Sequence, residues 1–206
     1  MLIIGICGAS GSGKSTLARI LSEKLQGKAY VLTQDAYYRD HSYLPFEERA
    51  KVNYDEPEVF EHDELLADVM ALREGRRITR KAYDYENHKR ADIDAEFIEP
   101  PEVLIIEGIH CFYDERLREQ MDLRVYVNVD PDVCLLRRIK RDIEKRGREI
   151  KNIAEQYLTT VKPMYEMYIK NYIEHADIVI PKGGKSPRIC DMLTAYITKV
   201  LMENEK

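Results

Sequence analysis

A glycine-rich segment near the N-terminus has the residue types needed to bind a phosphate chain. The segment follows the pattern GxxxxGK[ST] and consists of Gly8, Ala9, Ser10, Gly11, Ser12, Gly13, Lys14 and Ser15, followed by Thr16. Glycines let the backbone wrap a phosphate with its N–H groups pointing inward, and a following helix N-terminus favours the anion. In this pattern Lys14 reaches the β- and γ-phosphates and the Ser15 hydroxyl binds Mg²⁺. A glycine-rich turn that matches by chance is the alternative, and the loop alone does not identify the phosphate acceptor.

Two acidic residues follow apolar segments further along the chain. Asp35, in the sequence QDAYY, suits a general base that takes the proton from a hydroxyl attacking a γ-phosphoryl group. An Asp at such a position equally suits a helix cap. Glu107 ends the apolar run VLII, where a second acid commonly holds Mg²⁺. Its alternative, a solvent-facing strand end, is weaker because the run is so apolar.

A basic cluster occupies residues 137–148, which hold five Arg and two Lys against two acids in a protein of net charge −5. Arginine suits bidentate phosphate contacts and the charge that develops during phosphoryl transfer. Gly147 would give such a segment the flexibility of a closing flap. The alternative is a solvated helix face on which Asp142 and Glu144 pair locally with the basic residues.

Aromatic residues group in two segments, Tyr83–Arg90 with the sequence YDYENHKR and Asn53–Asp55 with the sequence NYD. Aromatic planes with a few hydrogen-bonding groups suit a nucleobase and a ribose. Taken singly, each Tyr is more typical of packing and His88 of a structural role. The grouping is what favours a ligand pocket.

Alternating apolar segments supply the elements that must position these side chains. Strands are predicted at 2–7, 29–33, 103–107, 123–128 and 177–180, and helices near 14–26, 58–74, 114–121, 131–145, 150–174 and 187–203. This alternation predicts an α/β fold with a parallel sheet covered on both faces. Ligands of such sheets bind beyond the carboxyl ends of the strands. Residues 76–98, with Asn87 and Asp92 as turn residues, break the alternation and predict an inserted hairpin or loop pair.

Length and composition narrow the class of protein. The 206 residues are expected to form a single domain, 1–206. The net charge of −5 argues against general nucleic-acid binding. The apolar runs are too short to cross a membrane and the N-terminus lacks a signal-like segment, so a cytoplasmic protein without a membrane partner is expected. The four cysteines lie in no metal-ligand or disulfide pattern.

The order of these motifs resembles the uridine kinase family, also called uridine–cytidine kinases, over nearly the whole chain. The motifs are the phosphate-binding loop, QDAYY, NYDEP, YDYENHKR, IIEGI, RRIKRDIEKRGR, QYLTTVKPMY and ADIVIPKGG. The resemblance implies a three-layer P-loop kinase fold with a mostly parallel five-stranded sheet, an inserted β-hairpin at 76–98 and an Arg-rich lid at 137–152. It also implies transfer of the γ-phosphoryl group of ATP or GTP, with Mg²⁺, to the 5′-hydroxyl of uridine or cytidine, giving UMP or CMP in pyrimidine salvage. A homotetramer restrained by UTP and CTP is expected on the same ground.

The resemblance also assigns roles to residues. Asp35 matches the catalytic base, Glu107 the Mg²⁺-associated carboxylate, and Lys14 the phosphate-binding lysine. The nucleoside pocket is matched by Asp35, Tyr38, Tyr54, Asp55, Tyr83, His88, Arg138 and Gln156. Within it, Asp55 and Arg138 are expected on the ribose, and Tyr83 and His88 on the base. Arg141, Arg146 and Arg148 match the lid arginines that meet the phosphates.

Several positions bear on substrate choice. His88 implies that both uridine and cytidine are accepted. Ala36 and the pair Lys81-Ala82 depart from the family pattern, where Ser and a proline-containing pair are usual, and a lost proline could loosen the segment that carries Tyr83 and His88. A phosphoribulokinase-like enzyme acting on a sugar phosphate is the alternative activity, although that acceptor needs extra basic residues. A nucleotide-binding switch is the alternative class, but no NKxD guanine motif is present.

Overall fold

The computed structural model describes residues 1–91 and 93–204, so Asp92, one of the two predicted turn residues, lies outside the described residues. In the described part the strands are β1 Leu2–Cys7, β2 Ala29–Thr33, β3 Ile78–Arg80, β4 Tyr83–Asp84, β5 Lys89–Arg90, β6 Ile93–Ile98, β7 Val103–Gly108, β8 Leu123–Asn128 and β9 Ile178–Pro181. The α-helices are α1 Lys14–Lys24, α2 Phe46–Arg49, α3 His62–Arg73, α4 Glu115–Arg118, α5 Pro131–Arg146, α6 Ile150–Gln156, α7 Lys162–Met167 and α8 Pro187–Asn204. Short 3₁₀ segments span Gln34–Tyr37, Pro57–Val59 and Ile169–His175, and a π-helical segment spans Tyr157–Val161.

Five of these strands form one parallel sheet in the order β2-β7-β1-β8-β9. Every residue of β1 and β7 is buried. This is why both strands are near-continuous apolar runs rather than alternating ones. The predicted α/β fold with a parallel sheet covered on both faces is therefore confirmed, and all five of its strands are parallel.

The two faces of the sheet carry separate apolar clusters. On β1, Ile3 packs on one face, where α3 contributes Leu65 and Val69. Ile4 packs on the opposite face, where α1 contributes Leu17, and α8 also packs there. Helical layers on both faces leave the carboxyl edge of the sheet free for the phosphate-binding loop and the segments that follow β2 and β7.

Residues 76–98 contain two antiparallel strand pairs, one inside the other. Strand β3 pairs with β6, and between them β4 pairs with β5. The turn between β4 and β5 is closed by Asp84, whose carboxylate accepts hydrogen bonds from the main-chain amides of Glu86 and Asn87. This inner hairpin presents Tyr83, Tyr85 and His88 to the carboxyl edge of the sheet.

Several helices begin later, are shorter or are more divided than predicted. The helix expected from 58 begins at His62, after a 3₁₀ turn that starts at Pro57. The helix expected at 114–121 is only one turn, Glu115–Arg118, which the Asp114 side chain caps. The single stretch expected at 150–174 consists of four successive pieces; Pro163, which lacks an N–H donor, lies in the first turn of the third piece, α7.

None of the helices in the described residues combines the length and apolarity that a membrane crossing requires.

Candidate active site

The phosphate-binding loop joins β1 to α1, and its conformation depends on glycine. Gly11 has a φ of 88° and Gly13 a φ of 100°, a region that glycine reaches without strain. A Cβ on Gly11 would lie only 2.3 Å from the Cys134 carbonyl oxygen of α5. Helix α1 begins at Lys14, directly after Gly13. The loop thus brings main-chain amides and a helix N-terminus to the same place, as a phosphate site requires.

Glu107 lies at the end of β7, beside the start of α1. One of its carboxylate oxygens accepts a hydrogen bond from the Ser15 hydroxyl at 3.0 Å, and the other accepts one from the Thr33 hydroxyl at 3.0 Å. Burial raises the pKa of the Glu107 carboxyl, while the nearby Lys14 opposes that rise. The described residues contain no cluster of three His, Cys, Asp or Glu side chains suited to a metal. A hydroxyl and a carboxylate at this separation still fit Mg²⁺, which prefers few protein oxygens together with phosphate and water.

Asp35 lies in the 3₁₀ turn after β2. Its carboxylate accepts a hydrogen bond from the Tyr85 hydroxyl at 2.8 Å, while no side chain caps that turn. The helix-cap alternative therefore does not describe its side chain. The parallel sheet brings Asp35 and Glu107 to the edge at which Lys14 begins α1.

A cavity of about 210 Å³ opens at this edge. It is lined by every residue predicted for the nucleoside pocket: Asp35, Tyr38, Tyr54, Asp55, Tyr83, His88, Arg138 and Gln156. It is also lined by Lys14, Ser15, Glu107, Arg141, Arg146 and Arg148. One concave site thus combines the phosphate-binding residues with an aromatic and polar pocket.

Aromatic rings form one wall of the cavity. His88 stacks on Tyr54 with ring centroids 5.1 Å apart and an interplanar angle of 19°. Tyr38 lies edge-on to Tyr54 at 5.3 Å and 4.8 Å from Tyr83. Burial, together with the neighbouring Arg148, lowers the pKa of His88 to about 4. His88 is therefore neutral near pH 7, so one ring nitrogen can donate a hydrogen bond and the other can accept one.

Asp55 and Arg138 are two buried residues with ionisable side chains that also line the cavity. The Asp55 carboxylate lies 3.4 Å from the Thr160 hydroxyl. Burial raises the pKa of Asp55, and the Arg138 guanidinium opposes that rise. Arg138 donates to the Ser10 hydroxyl at 2.9 Å and to the Gln156 side-chain oxygen at 2.9 Å. Arg138 thereby links the phosphate-binding loop to α6.

The other arginines of the basic cluster contact different parts of the site. Arg148 donates to Gln156 at 2.9 Å and lies 3.4 Å from the His88 ring nitrogen, which places it beside the aromatic wall. The Arg141 guanidinium lies 3.5 Å from the Ser10 hydroxyl. The local pairing expected for this segment also occurs, because buried Asp142 pairs with Arg141 at 2.8 Å. Local pairing and cavity lining thus coexist along α5.

Several cavity or neighbouring residues were not identified from the sequence. Tyr85 and Ile109 line the cavity. Tyr85 belongs to the aromatic segment YDYENH, so that grouping carried a signal. A second cavity, of about 490 Å³, also borders the loop and is lined in part by Arg137, Lys140, Lys182 and Lys185. Among its lysines, Lys140 belongs to the basic cluster 137–148 and Lys182 to the closing PKGG sequence, but neither motif indicated a second cavity.

His110 holds the segment that carries Asp55. It is fully buried, and one ring nitrogen lies 2.7 Å from the Asp55 main-chain oxygen while the other lies 2.8 Å from the Tyr172 hydroxyl. A main-chain oxygen only accepts, so the nitrogen facing Asp55 carries the proton. The His110 amide donates to the buried Gln34 side chain at 2.9 Å, next to Asp35 in sequence. This network connects the segments that carry Asp35 and Asp55.

Glu64 of α3 anchors the base of the inner hairpin. Lys81, which precedes β4, lies 2.7 Å from one of its carboxylate oxygens. Arg90, at the end of β5, lies 2.6 Å from the other. Lys81, one of the positions that depart from the family pattern, thus takes part in an ion pair that ties the hairpin to α3.

Several known proteins resemble this chain in sequence or in fold. The model of the Phosphoribulokinase / Uridine kinase family matches residues 3–187. The chain is 42% identical to a uridine kinase of Ligilactobacillus salivarius over 206 residues, covering 100% of this chain and 96% of the other. It is 41% identical to a uridine kinase of Bacillus subtilis over 204 residues, covering 98% and 96%. The phosphoribulokinase structure from Rhodobacter spheroides superposes with a TM-score of 0.61 at 18% identity, covering 87% of this chain and 69% of that one, which supports the fold alone.

Proposed function

The chain belongs to the Phosphoribulokinase / Uridine kinase family, and on that premise we propose that it transfers the γ-phosphoryl group of ATP or GTP to the 5′-hydroxyl of uridine or cytidine. The observation that carries the proposal is the 210 Å³ cavity, because Lys14 and Asp35 line it together with Tyr54, Tyr83 and His88. Residues suited to phosphoryl transfer and aromatic residues suited to the acceptor therefore line the same cavity.

The donor triphosphate is assigned to the loop Gly8–Thr16. Lys14 would contact the β- and γ-phosphates, and the main-chain amides would bind the remaining oxygens. The second cavity has Arg137 and Lys182 in its wall, and these residues offer a basic surface to the phosphates of the donor. Ser15 and Glu107 would hold Mg²⁺, which supplies neutralisation of the phosphate charge when bound.

In the proposed reaction the 5′-oxygen forms a bond to the γ-phosphorus, and the bond from that phosphorus to the bridging oxygen of the nucleoside diphosphate breaks. Asp35 accepts the 5′-hydroxyl proton. Arg141 and Arg146, both in the cavity wall, stabilise the charge that develops on the transferred group. These roles are supported by the fact that the three side chains line the same cavity as Lys14.

The acceptor is assigned to the rest of the cavity. Asp55 and Arg138 suit the ribose hydroxyls, since a carboxylate accepts and a guanidinium donates. The base would lie against the Tyr54 and His88 rings, and neutral His88 offers both a donor and an acceptor to a base edge. Because uridine and cytidine differ by an acceptor–donor exchange on that edge, a histidine of this kind suits both.

A sugar phosphate is the competing acceptor within the same family. Its own phosphate would need a further cationic partner in the acceptor part of the cavity, to which the hairpin contributes Tyr83, Tyr85 and His88 but no Lys or Arg. The aromatic lining therefore favours a nucleoside over ribulose 5-phosphate.

The test is ADP release from Mg-ATP with uridine, cytidine, thymidine, adenosine or ribulose 5-phosphate as acceptor. We expect turnover with uridine and cytidine well above the rate without acceptor. Stimulation by ribulose 5-phosphate alone would assign the sugar-phosphate activity instead. Absence of stimulation by both pyrimidine ribonucleosides would refute the proposal.

Assembly and regulation are proposed on family grounds. A homotetramer would be detected as four chain masses by light scattering during gel filtration. Feedback by UTP and CTP would appear as inhibition that excess uridine relieves, if the inhibitor occupies the acceptor cavity. We assign the activity to pyrimidine salvage in the cytoplasm.

A further inference from the structure

Tyr85 has no role in the mechanism proposed above, although it contacts the candidate base directly. It lies in the turn of the inner hairpin, between β4 and β5. Its hydroxyl donates to the Asp35 carboxylate at 2.8 Å. Within the described residues no other side chain donates a hydrogen bond to that carboxylate. The group expected to receive the acceptor proton is therefore partly covered by a hydroxyl of the protein itself.

The ring of Tyr85 is held from its other side. The Arg146 guanidinium carbon lies 4.3 Å from the ring centroid, the geometry of a cation–π contact. Arg146 also lies 3.6 Å from Asp142, which fixes the guanidinium to α5. Tyr83 lies edge-on at 5.4 Å. Tyr85 thus joins the hairpin turn, Asp35 and the end of α5 in one contact.

Partial burial, reinforced by the adjacent Asp35, raises the pKa of the Tyr85 hydroxyl above its ordinary value. The hydroxyl therefore stays protonated and acts toward Asp35 as a donor. It occupies the kind of position that an acceptor hydroxyl, or a water molecule, needs in order to deliver a proton to that carboxylate. Deleting the hydroxyl while keeping the ring would leave a space beside Asp35 close to the size of one water.

We propose that Tyr85 favours a nucleoside over water as the phosphoryl acceptor. Its hydroxyl covers Asp35 until the hydroxyl of a bound nucleoside takes its place. The inference rests on the proposed function of the cavity. A nucleoside can displace the Tyr85 hydroxyl because its base and ribose make further contacts in the cavity that offset the lost hydrogen bond. A single water has no such contacts, so it competes with Tyr85 unaided.

The side reaction that Tyr85 suppresses is hydrolysis of the donor. A water oxygen forms the new bond to the γ-phosphorus, the bond to the bridging oxygen of ADP breaks, and Asp35 accepts one water proton. The products are ADP and inorganic phosphate. A hydrogen bond to a charged group corresponds to about a tenfold to hundredfold change in an equilibrium. We expect the lower end of that range, because water partly replaces the lost contact.

The experiment measures ADP and phosphate release from Mg-ATP without nucleoside, and the ratio of that hydrolysis to transfer at saturating uridine. Tyr85→Phe is expected to raise hydrolysis about tenfold and to raise the ratio with it. The matched control is Tyr113→Phe, since the Tyr113 hydroxyl also lies near a carboxylate, that of Glu58 at 3.3 Å, but outside the cavity. Tyr113→Phe is expected to hydrolyse ATP at the wild-type rate.

A second variant tests the route of the extra hydrolysis. Adding Asp35→Asn to Tyr85→Phe should remove the increase, because the water loses its proton acceptor. A purely structural effect of Tyr85 would survive that addition and would overturn the proposal. Equal hydrolysis by the wild type and Tyr85→Phe would also overturn it. Failure of the wild type to phosphorylate either nucleoside would instead overturn the proposed function, so the two outcomes are distinguishable.

Discussion

The buried histidine His110 predicts how the stability of the protein depends on pH. It is fully buried, and both ring nitrogens have partners, the Asp55 main-chain oxygen and the Tyr172 hydroxyl. Burial lowers the pKa of His110 to about 4. In the unfolded chain the same ring takes up a proton at its ordinary pKa of about 6.5. Between these values the unfolded chain binds more protons than the folded protein.

The sign and size of the effect follow from that difference. Stability rises with pH wherever the unfolded state binds more protons, so the contribution of His110 is complete above about pH 6.5 and is lost as the pH falls toward 4. The linkage relation gives a loss of about 2 kcal/mol at pH 5 and about 3 kcal/mol at pH 4. Losses of this size are a large part of the stability of an ordinary domain.

The perturbation is His110→Gln, which keeps a donor and an acceptor but does not titrate. The assay is urea unfolding from pH 7.5 to pH 5, followed by far-UV circular dichroism or tyrosine fluorescence, because the chain has 14 Tyr and no Trp. The variant is expected to be less stable at pH 7.5 and to lose about 2 kcal/mol less than the wild type on going to pH 5. His88 titrates in both proteins, so its contribution cancels in the comparison. Parallel pH curves for the two proteins would refute the reasoning.

Three further changes test the site itself. Asp35→Asn should lower kcat by roughly 10²–10⁴-fold with ATP binding nearly intact, as expected for a lost general base; near-normal turnover would remove Asp35 from that role. His88→Gln should change the ratio of uridine to cytidine kcat/KM, because a mispaired polar edge is costly in an enclosed site, and an unchanged ratio would put base selection elsewhere. Glu64→Gln should raise KM for the nucleoside about fivefold without changing KM for ATP, since about 1 kcal/mol of anchoring is lost from the hairpin. Glu96→Gln, which removes an exposed ion pair on the outer hairpin, is its control, and equal effects of the two would contradict the anchoring role.

The central elements could be predicted because their signals are local. The apolar runs at 2–7, 29–33 and 123–128 predicted three strands, and all three strands have those bounds in the structure. Helix ends were less predictable where several weak signals compete. Pro163 could have marked a break in the long stretch after residue 150, but a proline in the first turn of a helix is also favourable, so its presence alone did not decide the outcome.

The sequence also allowed the prediction that Lys14, Asp35 and Glu107 lie close together. Lys14 and Asp35 follow parallel strands and Glu107 lies near the end of another, and such strands end at one edge of the sheet. Contacts between distant segments had no comparable signal. The hydrogen bond from Tyr85 to Asp35 spans 50 positions, and the contact of His110 with Asp55 spans 55. Both depend on how the hairpin and the loop after β7 pack against the segments that follow β2. This packing cannot be predicted from the spacing of residues along the chain.

The basic cluster shows why residue type alone underdetermined the site. Neighbours in sequence diverge on α5, because successive helical residues point about 100° apart. Arg138 therefore lines the smaller cavity, Arg137 lines the larger one, and Arg141 lines both. Asp142, buried among these arginines, pairs with Arg141 and leaves the cluster positively charged toward both cavities. A single helix thus supplies cationic groups to both of the cavities that Lys14 lines, and in the proposed reaction such groups would stabilise the negative charge of the phosphates.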